Sequence, residues 1–211
     1  MKLLIVTAVE REAGPFRDIP GAFVEVGGVG RTNAALAVAR AERVHGTFDA
    51  VLSMGIAGAL PDSDLSIGDV VVATRSVYVE EGIVTPNGFA DLGSMGFQLG
   101  PFEGNAVPGD PGLIERFGGP FSAGVVATVA TCSGTDRAAR EVVNRTGAVA
   151  EAMEGASVLH AAATFGTPGL EIRVISNTTG NREQQEWDLD TAFARLAGLA
   201  PRVGALVGDR S

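Results

Sequence analysis

The chain of 211 residues contains little cysteine, histidine or lysine. Cys132 is its only cysteine, so no disulfide can form within the chain and an oxidising compartment is not indicated. With His45 and His160 as the only histidines, ligands for zinc are scarce, and we expect neither a metal site nor an organic cofactor. Lys2 is the only lysine, the net charge is −9 and no basic run is present, which argues against nucleic acid as a partner.

Long apolar runs are also absent. The first run, Leu3 to Val9, ends at the charged residues 10–12 and is too short for a signal sequence. No stretch approaches the ~18–20 apolar residues of a membrane-spanning helix. We therefore expect a cytoplasmic protein without a membrane partner, and a single domain over residues 1–211.

Glycine, by contrast, is abundant. Its 29 residues are about 14% of the chain, roughly twice the average usage. Because they follow no period, collagen-like and low-complexity classes are excluded. The glycines instead predict many tight turns and close approaches of the backbone to a ligand.

Short apolar runs alternate with stretches of helical periodicity. The runs are apolar throughout, which indicates strands covered on both faces. The alternation predicts an α/β fold, a three-layer α/β/α sandwich around a mixed, mostly parallel sheet. The predicted strands are residues 3–7, 23–26, 50–54 (closed by Gly55), 69–79, 123–129, 148–151 and 170–176; the predicted helices are 32–45, 135–145, 153–165, 183–197 and 201–207, with a helical start at Glu10.

Residues 84–112 differ from the rest of the chain. They contain four prolines, several glycines and no helical period. A loop of this length in a compact domain is usually functional or disordered. We expect an insertion that lies over the active site or at a subunit contact.

Polar residues follow three of the predicted strands. Taken singly, Glu12 and Glu154 suit the first turn of a helix, and Asn177 suits a cap or turn. Ligands of α/β sheets bind at the carboxyl ends of strands, so the three together predict a site. The turn Gly28-Val29-Gly30 fits either a tight connection or backbone amides that face a polar ligand.

Six segments, in order and over nearly the whole length, resemble the purine nucleoside phosphorylase and nucleosidase superfamily, and in particular its nucleosidase branch. They are residues 8–12, 28–34, 54–59, 67–72, 153–156 and 173–177. The resemblance implies that Glu12 activates the attacking water and that Glu154 binds the ribose hydroxyls above Met153. It also implies that the segment of Cys132 and Ser133 contacts the base, largely through backbone atoms. Position 177 then binds N7 and the exocyclic group of the purine.

Two departures from that pattern concern the substrate. Nucleosidases for methylthioadenosine and S-adenosylhomocysteine carry Ser where this chain has Ile56, and Asp where it has Asn177. An amide NH2 can donate to the O6 and N7 acceptors of a 6-oxopurine, whereas a carboxylate repels O6. Asn177 therefore indicates hypoxanthine, or guanine less well.

The segment 55–59, together with Asn177, Gly180, Arg182 and Trp187, resembles the futalosine hydrolases. The resemblance implies release of hypoxanthine and dehypoxanthinyl futalosine from futalosine, in menaquinone biosynthesis, by a homo-oligomer that is a dimer or higher. Ile56 and Ala57 would line the substrate site. Arg182 either pairs with the carboxylate of the substrate's 5′ benzoate chain or is a surface residue beside a helix start.

Three other functions stay open. Arg31 keeps a 6-oxopurine nucleoside phosphorylase in consideration, since phosphorylases bind phosphate with arginine side chains. A nucleosidase for methylthioadenosine or S-adenosylhomocysteine is the second alternative. The third is a non-catalytic nucleoside-binding protein, which the joint presence of Glu12, Glu154 and Asn177 argues against.

Overall fold

The computed structural model describes residues 1–208, in which strands and helices alternate. The strands are β1 (Leu3–Thr7), β2 (Ala22–Val26), β3 (Ala50–Ala59), β4 (Val70–Tyr78), β5 (Gly82–Thr85), β6 (Gly88–Asp91), β7 (Ala106–Pro108), β8 (Ser122–Thr128), β9 (Ala150–Ala152) and β10 (Gly169–Thr178). The helices are α1 (Glu10–Ala13), α2 (Arg31–His45), α3 (Pro111–Phe117), α4 (Asp136–Thr146), α5 (Gly155–Thr164), α6 (Leu189–Ala197) and α7 (Ala200–Gly208), with 3-10 turns at Gly14–Phe16 and Arg182–Gln184.

The main sheet closes on itself. Strand β3 pairs in parallel with β10, which pairs antiparallel with β4. From β4 the ring continues through the parallel neighbours β8 and β9, and β9 returns antiparallel to β3. Strands β1 and β2 extend the sheet outward from β3, and β7 pairs with β4. The predicted α/β class with a mixed, mostly parallel sheet is confirmed. The closure of the sheet into a ring was not predicted from the sequence.

Alternate side chains of the strands fill separate cores, because strand side chains point to opposite faces with period 2. On β1, Leu3 and Ile5 pack with residues of α6 and α7, whereas Leu4 and Val6 pack with α2 and α5. Each such buried side chain contributes roughly 1.5–3 kcal/mol relative to an exposed one. The ring encloses a third core that consists mainly of alanines, with larger side chains such as Ile175.

Two predicted boundaries are wrong. Gly55 does not close the third strand, which continues to Ala59; instead its missing side chain makes room for two neighbouring charged groups. The helix predicted over 183–197 begins only at Leu189. Its N-cap is Asp188, whose side chain accepts the Thr191 N–H at 2.9 Å.

The segment 84–112 is more ordered than its composition indicates. It contributes to the hairpin of β5 and β6, supplies β7 to the main sheet and begins α3. The N-cap Asp110 accepts the Leu113 N–H at 2.9 Å, and Pro111 occupies the first turn, where its missing N–H costs nothing.

Candidate active site

A cavity of about 210 Å³ opens where β1, β3, β9 and β10 end or approach their ends. Seven of the nine predicted site residues line it, namely Glu12, Ile56, Ala57, Cys132, Met153, Glu154 and Asn177. Ser133 and Arg182 line an adjoining cavity of about 260 Å³, and the two cavities share Gly58, Cys132, Glu151, Asn177 and Trp187. The structure therefore brings the predicted residues together around one divided pocket.

Glu12 lies in α1, directly after β1, and is 3% exposed. Its Oε2 accepts the backbone N–H groups of Ala8 at 2.9 Å and Val9 at 3.1 Å, and its Oε1 accepts that of Ile56 at 3.0 Å. Burial raises the pKa of Glu12, although the Arg173 guanidinium and these hydrogen bonds oppose the rise. The carboxyl group is therefore fixed in position and more basic than an ordinary glutamate.

Glu154 is the N-cap residue of α5 and is 7% exposed. Its Oε1 accepts the Gly30 N–H at 3.0 Å, and its Oε2 accepts the Met153 N–H at 3.3 Å. The Gly28-Val29-Gly30 turn is thus a connection whose last amide holds a carboxylate of the site. Gly30 has φ 97°, a conformation that glycine adopts without strain.

Arg173 is a buried charged residue beside the site that sequence reasoning missed. It lies in β10 and is 1% exposed; its Nη2 lies 3.4 Å from Glu154 Oε2, and its Nε donates to Glu171 Oε1 at 2.8 Å. A Cβ on Gly55 would lie 2.5 Å from Glu12 Oε1 and 2.6 Å from Arg173 Nη1, so only glycine fits between them.

The charge of Arg173 is retained despite its burial. Burial disfavours the guanidinium, but Glu171, Glu154 and Glu12 outweigh that effect and hold the pKa of Arg173 above its ordinary value. A signal for this group was present in the sequence, because Glu171 and Arg173 interrupt an apolar strand run. A charged side chain in such a buried run needs a partner of opposite charge, because burying an unpaired charge is costly.

Asn177 enters the pocket because of a β-bulge. In the pairing of β10 with β3, Ile175 lies opposite Ala57 and Asn177 opposite Gly58, which leaves Ser176 as the extra residue. Ile175 therefore faces the core inside the ring, while Asn177 takes the other face. Its Oδ1 accepts from Ser176 Oγ at 2.8 Å and its Nδ2 donates to the Thr178 carbonyl at 2.9 Å, which leaves the second Nδ2 hydrogen for a ligand.

Arg182 belongs to a small cluster in the adjoining cavity. Its guanidinium stacks on the Trp187 ring at 4.7 Å, and its Nη1 donates to Gln185 Oε1 at 2.9 Å. Gln185 in turn donates to the Ser133 carbonyl at 2.9 Å. Arg182 does not line the cavity of Glu12 and Glu154, and its pairing with a substrate carboxylate stays a prediction.

Arg31 is engaged by two carboxylates. Its Nη1 lies 2.6 Å from Glu81 Oε1 and its Nη2 lies 2.5 Å from Glu80 Oε2. The guanidinium that could have bound phosphate is therefore already neutralised by Glu80 and Glu81.

None of residues 84–112 lines either of the two cavities, so within one chain the expectation of an insertion over the site is wrong. A role at a subunit contact stays a prediction. Among residues 1–208, no helix is long and apolar enough to cross a membrane. The same residues contain no group of three or more His, Cys, Asp or Glu side chains placed to hold a metal ion.

The chain is similar to known nucleosidases. The family model of the Phosphorylase superfamily matches residues 20–206. The chain is 36% identical over 166 residues to a futalosine hydrolase of Acidothermus cellulolyticus, covering 75% of this chain and 65% of that protein. It is 33% identical over 184 residues to a futalosine hydrolase of Thermus thermophilus, covering 86% of this chain and 80% of that one. The match thus spans less than two thirds of the length of the Acidothermus protein.

A solved structure shares the fold. The 5′-methylthioadenosine/S-adenosylhomocysteine nucleosidase of Neisseria meningitidis, in complex with methylthio-immucillin-A, matches with a TM-score of 0.79 at 21% identity. The match covers 96% of this chain and 98% of that one. At this identity the likeness concerns the fold alone.

Proposed function

The chain belongs to the phosphorylase superfamily, and from that premise we propose that it is a nucleosidase that hydrolyses the N-glycosidic bond of futalosine and releases hypoxanthine. The observation that carries the proposal is the meeting of Glu12, Glu154 and Asn177 in one cavity. A water-activating carboxylate, a ribose-binding carboxylate and a base-binding amide are the three groups that this reaction requires. Similarity to two futalosine hydrolases supports the choice of substrate.

Glu12 acts as the general base. The purine departs first, through an oxocarbenium-like transition state, and water then adds to C1′. Glu12 takes a proton from that water, which is worth roughly 10²- to 10⁴-fold in rate. Its burial supports this role, because a carboxylate with a raised pKa is the stronger base.

Glu154 binds the ribose hydroxyls, and Met153 packs beneath the sugar. The backbone amide of Gly30 and the guanidinium of Arg173 hold the Glu154 carboxylate, so it is positioned before substrate binds. Such positioning lowers the entropic cost of reaching the transition state. The positive charge of Arg173 attracts both Glu12 and Glu154 and so offsets the repulsion between these two carboxylates.

Asn177 binds the leaving base, with the segment of Cys132 and Ser133 alongside. The free Nδ2 hydrogen of Asn177 donates to the O6 and N7 edge of hypoxanthine, and this stabilises negative charge on the departing base. Ile56 and Ala57 line the sugar end of the same cavity. We further propose that the enzyme works as a homo-oligomer.

A nucleosidase for methylthioadenosine or S-adenosylhomocysteine is the second candidate, because such an enzyme shares the fold. Asn177 favours the 6-oxopurine, since an adenine amino group would meet the amide NH2 donor to donor. A phosphorylase is disfavoured by the ion pairs that occupy Arg31.

The test is release of free base from futalosine, inosine and methylthioadenosine, each with and without phosphate. We expect hypoxanthine from futalosine at a rate that phosphate does not change. If adenine is released from methylthioadenosine faster than hypoxanthine is released from futalosine, the proposal that futalosine is the substrate is contradicted. Release that requires phosphate, with a sugar 1-phosphate as co-product, would contradict hydrolysis.

A further inference from the structure

Glu151 is a buried carboxylate of the pocket that the mechanism above does not use. It is 5% exposed, lies in β9 and lines both cavities. In the sheet, Glu151 lies opposite Gly58 of β3, and Asn177 of β10 lies opposite the same Gly58 from the other side. In-register neighbours share a face, so Glu151 and Asn177 point to the same side of the sheet.

Gly58 leaves open the space between these two side chains. Two strand spacings separate the Cα atoms of Glu151 and Asn177, a distance of roughly 10 Å. A Cβ on Gly58 would lie 3.0 Å from Asn177 Nδ2 and 2.8 Å from Thr179 Cγ2, and so would crowd this space. The three strands thus form a slot with an amide on one wall and a carboxylate on the other.

Ser133 holds the Glu151 carboxylate in place. Its backbone N–H donates to Oε1 at 2.7 Å and its hydroxyl donates to Oε2 at 2.6 Å. Each carboxylate oxygen has two lone pairs, so one acceptor position on each is left for a ligand. Burial raises the pKa of Glu151, while the hydrogen bonds from Ser133 favour the carboxylate and limit the rise.

We propose that Glu151 accepts the N1–H of a 6-oxopurine base and, with Asn177 on the opposite wall, determines which purine the enzyme takes. This inference rests on the proposed function and deepens it. Hypoxanthine presents acceptors at O6 and N7 and a donor at N1, which is the complement of an amide NH2 and a carboxylate. Adenine presents a donor at its amino group and an acceptor at N1, so it is mismatched on both walls.

Glu151→Gln separates this role from a structural one. The glutamine carbonyl can still accept the Ser133 N–H, and its NH2 can donate to the Ser133 hydroxyl oxygen, so the support of the loop is retained. What the variant loses is the charge and one of two acceptor oxygens. Glu42→Gln is the matched control, because Glu42 is also a buried carboxylate (8% exposed) but lies on α2 and lines neither cavity.

The experiment is calorimetric titration of the full chain and both variants with free hypoxanthine and free adenine. In wild type, hypoxanthine should bind more tightly than adenine. In Glu151→Gln, the affinity for hypoxanthine should fall roughly 10- to 100-fold, the range of a lost charge-assisted hydrogen bond, and that for adenine should hold or rise. Glu42→Gln should keep the wild-type ratio of the two affinities.

An equal loss for both bases, or an unchanged ratio, would overturn the proposal and leave Glu151 a structural residue. Failure of wild type to prefer hypoxanthine would overturn it as well. Because free bases are titrated, this result is independent of turnover. If the affinity ratio shifts but futalosine is not hydrolysed, the proposed function fails and the base-reading role of Glu151 stands. If futalosine is hydrolysed but the affinity ratio does not shift, the proposed function stands and the base-reading role fails.

Discussion

At the scale of single residues, the backbone holds the carboxylates Glu12 and Glu154 of the pocket before any substrate arrives. Glu12 accepts three backbone N–H groups, and Glu154 accepts two. No side-chain rearrangement is needed to place these carboxylates. Preorganised polar groups of this kind are commonly the largest source of transition-state stabilisation in enzymes.

Glu12→Gln should lower kcat by roughly 10²-fold or more, because the amide keeps the volume but cannot take a proton. The pH profile gives a second readout. Because the pKa of Glu12 is raised above 4.5, the carboxylate becomes protonated before the pH has fallen to 4.5. Wild-type kcat/KM should therefore begin to fall above pH 4.5 as the pH is lowered, and the variant should lack this step. Base binding should survive in the variant. Near-normal kcat would remove Glu12 from the mechanism.

Asn177→Asp should shift the preference from the hypoxanthine nucleoside towards its 6-amino counterpart. The carboxylate would face O6 and also the Thr178 carbonyl that now accepts from Nδ2. Sites built on specific hydrogen bonds reject mismatched analogues by as much as ~10⁴–10⁵-fold, although partial adaptation reduces this. The measurement is the ratio of kcat/KM for the two nucleosides in wild type and variant. A ratio that does not move would show that Asn177 is not a reader of the base.

At the scale of elements, the junction of β9 and α5 is packed against the buried ion pair of β10. A Cβ on Gly155, the first residue of α5, would overlap the Glu171 carboxyl group. That group cannot move aside, because Arg173 and Ser76 hydrogen-bond it and it is 0% exposed. The position of the start of α5, and with it that of Glu154, is therefore fixed by its packing against Glu171 of β10.

Gly155→Ala should destabilise the protein even though alanine favours helices. The overlap costs roughly 1–3 kcal/mol, which corresponds to a fall in Tm of several degrees for a chain of this length. Gly14→Ala is the control, since a Cβ at Gly14 has nothing within 4 Å and its φ is not positive. Calorimetry that found equal Tm values for the two variants would contradict this account of the junction.

Strands that carry local signals were predictable from the sequence. Strand β1 was found with its exact bounds, and β2 within a residue, because an uninterrupted apolar run needs no distant partner to be interpretable. The second half of β3 was missed, since the glycines there permit close packing of neighbouring side chains and do not form a turn. Closure of the ring depends on the pairing of β3 with β10, and no local pattern encodes that pairing.

The site was predictable to the extent that its residues follow the strands predicted from the sequence. Glu12, Glu154 and Asn177 were found in this way and do share one cavity. Glu151 and Arg173 lie inside the predicted strands, where a charge indicates a buried partner but does not identify it. The bulge at Ser176, which turns Asn177 into the pocket, is likewise a property of paired strands.

At the scale of the whole molecule, the insertion exposes large apolar side chains. Val84 is 74% exposed and Phe97 is 64% exposed, and both lie in the segment 84–112. The predicted homo-oligomer would bury such residues at its contact. Light scattering should therefore give at least twice the 21.6 kDa of one chain. The mass of a single chain would contradict the oligomer.

The closed ring has a consequence for how the chain reaches its native state. Strand β3 acquires its parallel partner β10 only after more than half of the chain has followed it. Contacts of such sequence separation form slowly, because a large loop must first be closed. During synthesis, β3 and β4 therefore present bare edges until the last strand emerges. A nascent chain stopped before Gly169 should aggregate or require a chaperone, whereas the complete ring leaves these edges covered.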